Sequence, residues 1–344
     1  MALEINYEVV MQLSVLDQSP IGPGEDAATA VAHTIELASR CDDLGYHRYW
    51  LAEHHASKTL ASSAPEILIA RVANETRHIR VGSGGVMLSH YSPYKVAENF
   101  RLLEVMYPGR IDLGVGRAPG GDGVTAAALA YGNKLGIEYY PTKVRDMLAW
   151  VSSEKPYSEA FGNLAVSPAA ESVPEVWVLA SSPDSARYAA YFGLPLSFAH
   201  FIAPEQATKV MHTYRAEFNR DSGREPRAAL GVFAIAHDDP DRVDLMLRAR
   251  ELQKIRRESG QQRPAPTLEE AAAHPFTDKQ IERMRSKRSR QIIGEPEAVR
   301  AEIEALVVAS GADEVVVLTI TPSFVDRVRS YELLAGAFGL SPPT

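Results

Sequence analysis

Residues 79–88 read IRVGSGGVML, a short apolar run with the β-branched content of a buried strand, interrupted by Gly84 and Gly85 where branched residues would be expected. Glycine inside a strand weakens it unless a ligand or a neighbouring backbone must come close; a flat ligand and a β-bulge at a barrel corner both account for the pair. Working outward, 64–77 and 93–106 read as helices and HRYWLAE (47–53) and GRIDLGVG (109–116) as strands, so helices link parallel strands. The alternation extends in both directions. QLSVLD (12–17) is a first strand, followed by a helix from about Glu25 that Gly45 ends; a helix takes in 139–152; EVWVLAS (175–181), LPLSFAH (194–200) and AALGVFAIA (228–236) are strands, with helices over 183–192 and 204–221. A helix over 296–309, stopped by Gly311, leads to the last strand, DEVVVLTI (313–320). Eight strands without a linker-like break predict an α/β fold, a single (β/α)8 barrel domain over 1–344, and no G-x-G-x-x-G follows the first strand to support a dinucleotide-binding sheet.

Two segments stand outside the alternation. Residues 156–174 suit a small polar excursion. Residues 248–290 carry twelve Lys or Arg against six Asp or Glu in an otherwise acidic chain, and they exceed the usual barrel connection of about 2–6 residues. This insertion after the seventh strand is expected to form a lid, extended at Pro264 and Pro266 and helical over 242–258 and 278–289.

The composition narrows the function classes. A 344-residue chain that is 45% hydrophobic, with net charge −8, can bury a large core and lacks the cationic surplus that phosphate backbones require. No nucleic-acid partner is expected. Cys41, the single cysteine, lies at helical spacing from Ala27, Val31, Ile35 and Ala38, as a core thiol does. The beginning MALEINYEVVMQL has no basic leader region, and no run approaches the roughly 20 apolar residues of a membrane span. A cytoplasmic protein without membrane association is the expectation.

In such a barrel, chemistry gathers where strands end. Glu53, His54 and His55 end the second strand and could bind metal, move protons or hydrogen-bond at the barrel mouth; neighbours on extended backbone point to opposite faces, and the sequence has no H-E-x-x-H, so metal is not expected. Arg117 ends the fourth strand before APGGDG (118–123). It suits a phosphate, although pairing with Asp112 or Asp122 would explain it equally well. Ser181, Ser182, Pro183, Asp184 and Ser185 form a helix start with free N–H groups, which is either an N-cap or, together with Arg117, a phosphate cradle.

Five blocks, in order, resemble the bacterial-luciferase-like flavin monooxygenases, in particular their single-chain, non-luminescent members. They are LAEHH (51–55), RVGSGGVMLSHYSPYKVAENFRLLE (80–104), GRIDLGVGRAPG (109–120), ASSPDSARYAAYFGLP (180–195) and RQIIGEPEAVRAEIEAL (290–306). The resemblance implies reduced FMN as co-substrate, delivered by a separate reductase or formed with NAD(P)H, in a homodimer acting on O2 and a small organic molecule. It places a non-prolyl cis peptide at Gly84–Gly85 beneath the flavin ring, an apolar residue at Leu179 followed by Ala180, and phosphate ligands at Arg117, Ser181, Ser182 and Ser185. His54 matches the catalytic histidine, with Glu53 beside it, and Lys287, Arg288 and Arg290 are the lid cations. The implied chemistry is attack of oxygen on reduced FMN to give a flavin hydroperoxide that oxygenates the substrate. Gly116 stands where luciferase has a reactive cysteine, and His200 replaces a tryptophan of the ring pocket, which argues against light emission. The competing readings are a deazaflavin-dependent dehydrogenase or reductase, a non-catalytic flavin-binding protein and a metal-dependent barrel hydrolase.

Overall fold

The computed structural model describes residues 11–118, 122–132, 136–261, 263–286 and 290–342. Among them, eight parallel strands close a ring: β1 (Gln12–Asp17), β2 (Arg48–Leu51), β3 (Arg80–Ser83), β5 (Ile111–Gly116), β6 (Glu175–Ala180), β7 (Leu196–Ala199), β8 (Ala228–Ala236) and β10 (Glu314–Leu318). Closure is made by β10, whose Val315 lies opposite Leu13 of β1 on one side and Leu230 of β8 on the other. The fold is therefore the (β/α)8 barrel expected from the alternation.

Local sequence fixes the helix boundaries. Helices α1 (Ala27–Asp43), α2 (Pro65–Glu75), α3 (Pro93–Met106), α4 (Gly123–Ala130), α5 (Tyr140–Val151), α6 (Pro183–Phe192) and α7 (Pro204–Glu217) follow in chain order. Five of these start at or beside a proline whose missing N–H has no partner to lose there (Pro65, Pro93, Pro141, Pro183 and Pro204). The backbone N–H of Thr29 donates to Asp26 at 2.8 Å, which caps α1. Gly45, at φ +86°, takes the left-handed turn after α1, where a Cβ would run into the Ser341 carbonyl.

Along β8 the residues alternate: Ala229, Phe233 and Ile235 point into the barrel with Trp50, Trp177 and Val316, whereas Ala228, Leu230 and Val232 pack outward under the helices. Trp50 and Trp177 meet edge to face at 5.3 Å. Below them the barrel floor is closed by charge. The guanidinium of Arg48, 2% exposed, donates to Asp112 and Glu175 at 2.8 Å each and to Glu314 at 3.0 Å. Trp50 adds a bond to Asp112 and Trp177 one to Glu175, each at 2.9 Å. Burial opposes ionisation of Glu175, but Arg48, Trp177 and Arg227 overcome it and hold the carboxyl at about 2.

Three features differ from the sequence reading. The run 79–88 is two strands, β3 and the short β4 (Val86–Met87), the latter paired with β5, whereas the Gly84–Gly85 bond between them is cis, as the resemblance implies. A ninth segment, β9 (Ile292–Gly294), extends β8 past the barrel rim. Within the insertion, α8 (Pro240–Glu258) and α10 (Asp278–Ser286) match the two helical stretches expected, and a third helix, α9 (Leu268–Ala273), lies between them with a complete capping box at Thr267 and Glu270. Helices α11 (Pro296–Ser310) and α12 (Phe324–Ala337) finish the chain.

The floor makes a clear prediction. Arg48→Met leaves Asp112 and Glu314 buried without this counter-charge and should cost about 3–5 kcal/mol of unfolding free energy. Urea denaturation measures it, and a loss below about 1 kcal/mol, the worth of an ordinary surface pair, would show that the network is not a structural tie.

Candidate active site

The open, C-terminal end of the barrel carries the strand-end residues singled out in the sequence. Beyond β2 the chain stays extended, with Ala52 N–H donating to Asp17 and His54 N–H to Ser62, both at 2.8 Å. The two histidines have different surroundings. The His55 ring nitrogen meets Glu53 Oε1 at 2.6 Å, and Tyr91 Oη donates to the same oxygen at 2.5 Å. Glu53 Oε2 accepts from Met87 N–H at 2.9 Å, which ties the end of β2 to β4 immediately after the cis bond. Burial and the Glu53 carboxylate push the Tyr91 hydroxyl well above its ordinary range, so it remains a donor. Every one of these contacts holds Glu53 in place.

His54 has a different environment. Its Nδ1 is buried without a hydrogen-bond partner among the described residues, and the ring lines a cavity of about 790 Å³. Burial lowers its pKa, assisted by His55 and opposed by Glu53, which favours the neutral ring. The cavity lies between the barrel mouth, represented by Gln18, Phe201 and Phe233, and a roof made by the insertion, including Leu247 and Arg250.

The two glycines of the cis bond are required by packing. A Cβ on Gly84 would lie 2.5 Å from Leu16 Cδ1, and one on Gly85 would lie 2.7 Å from the Gly114 carbonyl and 2.8 Å from Leu179 Cδ1. Leu179, half-buried on β6, thus sits directly against Gly85, and Ala180 beyond it is buried. This brings together three of the expected cofactor residues on one side-chain-free strip.

Arg117 follows β5 and remains 28% exposed. Neither carboxylate named for it in the sequence is its partner: Asp112 is spent on the barrel floor, and Asp122 caps α4 by accepting from Thr125 N–H at 2.7 Å. Its nearest carboxylate is Asp184 at 3.9 Å, in the first turn of α6 and itself exposed. Arg117 therefore faces the start of α6, where Ser182 occupies the N-cap without a side-chain cap bond and its hydroxyl lies 3.3 Å from that of Ser185. A cation, two hydroxyls and the uncapped N–H groups of a helix start are the donor set of a phosphate site. Ser181 is half-buried at the end of β6.

His200 is buried after β7, and burial lowers its pKa. Arg290 lines the cavity and reaches Glu205 at 3.4 Å; Lys287 and Arg288 lie outside the described residues. Tyr91 was not identified from the sequence, where nothing separates it from the neighbouring tyrosines. Among the described residues no group of three or more His, Cys, Asp or Glu could hold a metal ion, and no helix is long and apolar enough to cross a membrane.

With this geometry in hand, comparison with known proteins places the chain in a family. The luciferase-like monooxygenase profile matches residues 11–314, so the chain belongs to that family. It is 41% identical to the uncharacterized protein YwcH of Bacillus subtilis (strain 168), over 96% of this chain and 99% of the relative. It is 36% identical to N-acetyl-S-alkylcysteine monooxygenase of the same organism, over 95% of this chain and 98% of the relative. Among solved structures, apo-MsnO8 superposes with TM-score 0.88 at 38% identity, covering 97% of this chain and 99% of that one.

The burial of His54 can be tested by ring-nitrogen NMR. Its imidazole is expected to titrate below the ordinary value near 6.5, and a pKa at or above that value would contradict the burial argument. The sign for stability follows: below that pH the unfolded chain holds a proton that native His54 does not, so folding is weakened as pH falls through this region.

Proposed function

We propose that this chain is a monooxygenase that uses reduced FMN to transfer one oxygen atom from O2 to a small organic molecule held in the cavity beside His54. The observation that carries this reading is the pairing of two features at one barrel end: a phosphate-type donor set at Arg117 and α6, and a side-chain-free strip at Gly84–Gly85 backed by Leu179. A flat ring with a phosphate tail matches both. FMN, when bound, supplies the electrons and the oxygen activation that no side chain here can supply.

The protein's own residues then divide the work. Arg117, the hydroxyls of Ser181, Ser182 and Ser185 and the first N–H groups of α6 bind the phosphate. Gly84, Gly85, Leu179, Ala180 and His200 form the ring pocket. His54, neutral and with Nδ1 free of protein partners, accepts or delivers a proton at the reacting centre. Glu53 orients the β2 end through His55, Tyr91 and Met87 rather than meeting the substrate. The roof of α8 and α10, with Arg290 at its edge, shields the cavity from water. The family name supports oxygenation, and the name of the 36%-identical relative supports a thioether as the first substrate class to try. A homodimer, a separate reductase and a cytoplasmic location belong to the same reading.

Flavin titration tests it. Arg117→Ala should weaken FMN by roughly 10- to 150-fold, the worth of a charge-assisted hydrogen bond, and leave riboflavin nearly unaffected. Equal losses would make Arg117 a fold residue, and a protein that binds the deazaflavin but not FMN would overturn the oxygenase reading in favour of hydride transfer. With FMN bound normally, His54→Ala should lower turnover by about 10²–10⁴-fold; near-wild-type turnover would remove its catalytic role.

A further inference from the structure

The roof of the cavity carries an unusual charge arrangement. Of the six Lys or Arg of the roof that line it, three are neutralised locally: Arg283 pairs with Glu251 and with Glu258 at 3.2 Å, Lys254 lies 3.8 Å from Glu258, and Arg290 reaches Glu205; a fourth, Arg263, is exposed. Arg250 and Arg257 are different. Both line the cavity, and neither has a carboxylate within ion-pair distance among the described residues. Glu251, the only acid among the described residues lining the cavity, is already held by Arg283.

Arg250 is also fixed in place. Its guanidinium lies 3.6 Å over the face of Phe233, a buried residue of β8 inside the barrel mouth, and its Nε donates to Gln291 at 3.1 Å. That bond uses one of the five guanidinium donors, and among the described residues no further partner accepts from the others. Burial and the like charge of Arg257 pull its pKa down to about 9. A bound anion would offset both effects. Outside the roof the lining holds His54, Lys58 and the polar Gln18, Ser57 and Thr59, with the apolar Phe201, Leu318 and Ile320. None of Arg117, Gly84, Gly85, Leu179 and Ser182 lines this cavity, so these cations face a space separate from the phosphate-type site at α6.

We propose that Arg250, with Arg257 beside it, binds the carboxylate of the organic substrate, whose apolar body extends across the cavity toward His54. The planar guanidinium fork, stacked on Phe233, suits the two oxygens of a carboxylate, and the apolar Phe201, Leu318 and Ile320 suit an aliphatic or aromatic remainder. The substrate class is therefore a small organic acid with the oxygenated atom at a distance from its carboxylate. This assignment rests on the oxygenase reading for the word substrate, but the anion site itself does not.

The experiment is calorimetric titration of the full-length protein, with and without FMN. The probes are N-acetyl-S-methyl-, S-butyl- and S-benzylcysteine and their methyl esters. At least one acid should bind at least about tenfold more tightly than its ester. Arg250→Gln should abolish that preference and leave FMN affinity unchanged; Arg257→Gln, at an exposed position, should reduce the preference in the same direction. Acids and esters binding alike, or no acid binding, would overturn the proposal. So would an Arg250→Gln protein that loses FMN but keeps riboflavin, because Arg250 would then be a flavin-phosphate ligand. Failure of FMN to bind, with the acid preference intact, would sink the oxygenase reading while supporting the anion site.

Discussion

One guanidinium sets what this barrel can do. Arg48 begins β2 and reaches carboxylates on β5, β6 and β10, so a single cation ties four of the eight barrel strands at their N-terminal ends. Asp112 is also held by Arg80 and Glu175 by Arg227, so Glu314 is the partner that depends most on Arg48 for its counter-charge. The two tryptophans stacked above it hydrogen-bond to the same carboxylates, so the lower half of the barrel is filled and closed. Any ligand space must then lie at the opposite, C-terminal rim, where the strand ends and the connections that follow them present the polar side chains.

At that rim the structure separates two kinds of positive charge. Arg117 has one loose carboxylate neighbour and faces a helix start; Arg250 has none among the described residues and lines the cavity over the ring of Phe233. The first arrangement suits a highly charged tail anchored near the surface, the second a single small anion deeper under the roof. His54 lines the cavity with Arg250, and Glu53 beside it ties the end of β2 to Met87, just after the glycine pair.

Much of this was legible in the sequence because it depends on local periodicity. All eight barrel strands follow from runs of apolar and β-branched residues, and helices such as α6 and α7 announce themselves by proline at the first turn. The short β9 was not legible: three residues, Ile292–Gly294, have no period, and their strand character comes only from pairing with β8. The helix α12 was missed as well, because it buries Asp326, Arg327 and Ser330, which blurs the apolar stripe a sequence reading looks for. The Glu53-His54-His55 cluster was visible as a unit, but its members' separate environments were not, since Tyr91 and Met87 reach Glu53 across more than thirty residues. The basic insertion showed a surplus of charge. Which of its arginines lack partners depended on long-range pairs such as Arg283 with Glu251, and no local pattern encodes those.

In the proposed function, flavin phosphate and substrate anion bind in separate spaces at the barrel rim. A crystal structure of the protein with FMN tests it most directly. The account predicts phosphate density among Arg117, Ser182 and Ser185, the flavin ring against Gly84–Gly85 and Leu179, and the Arg250 guanidinium still facing the cavity with no phosphate contact. Phosphate bound between Arg250 and Arg257, with the Arg117 corner empty, would contradict it.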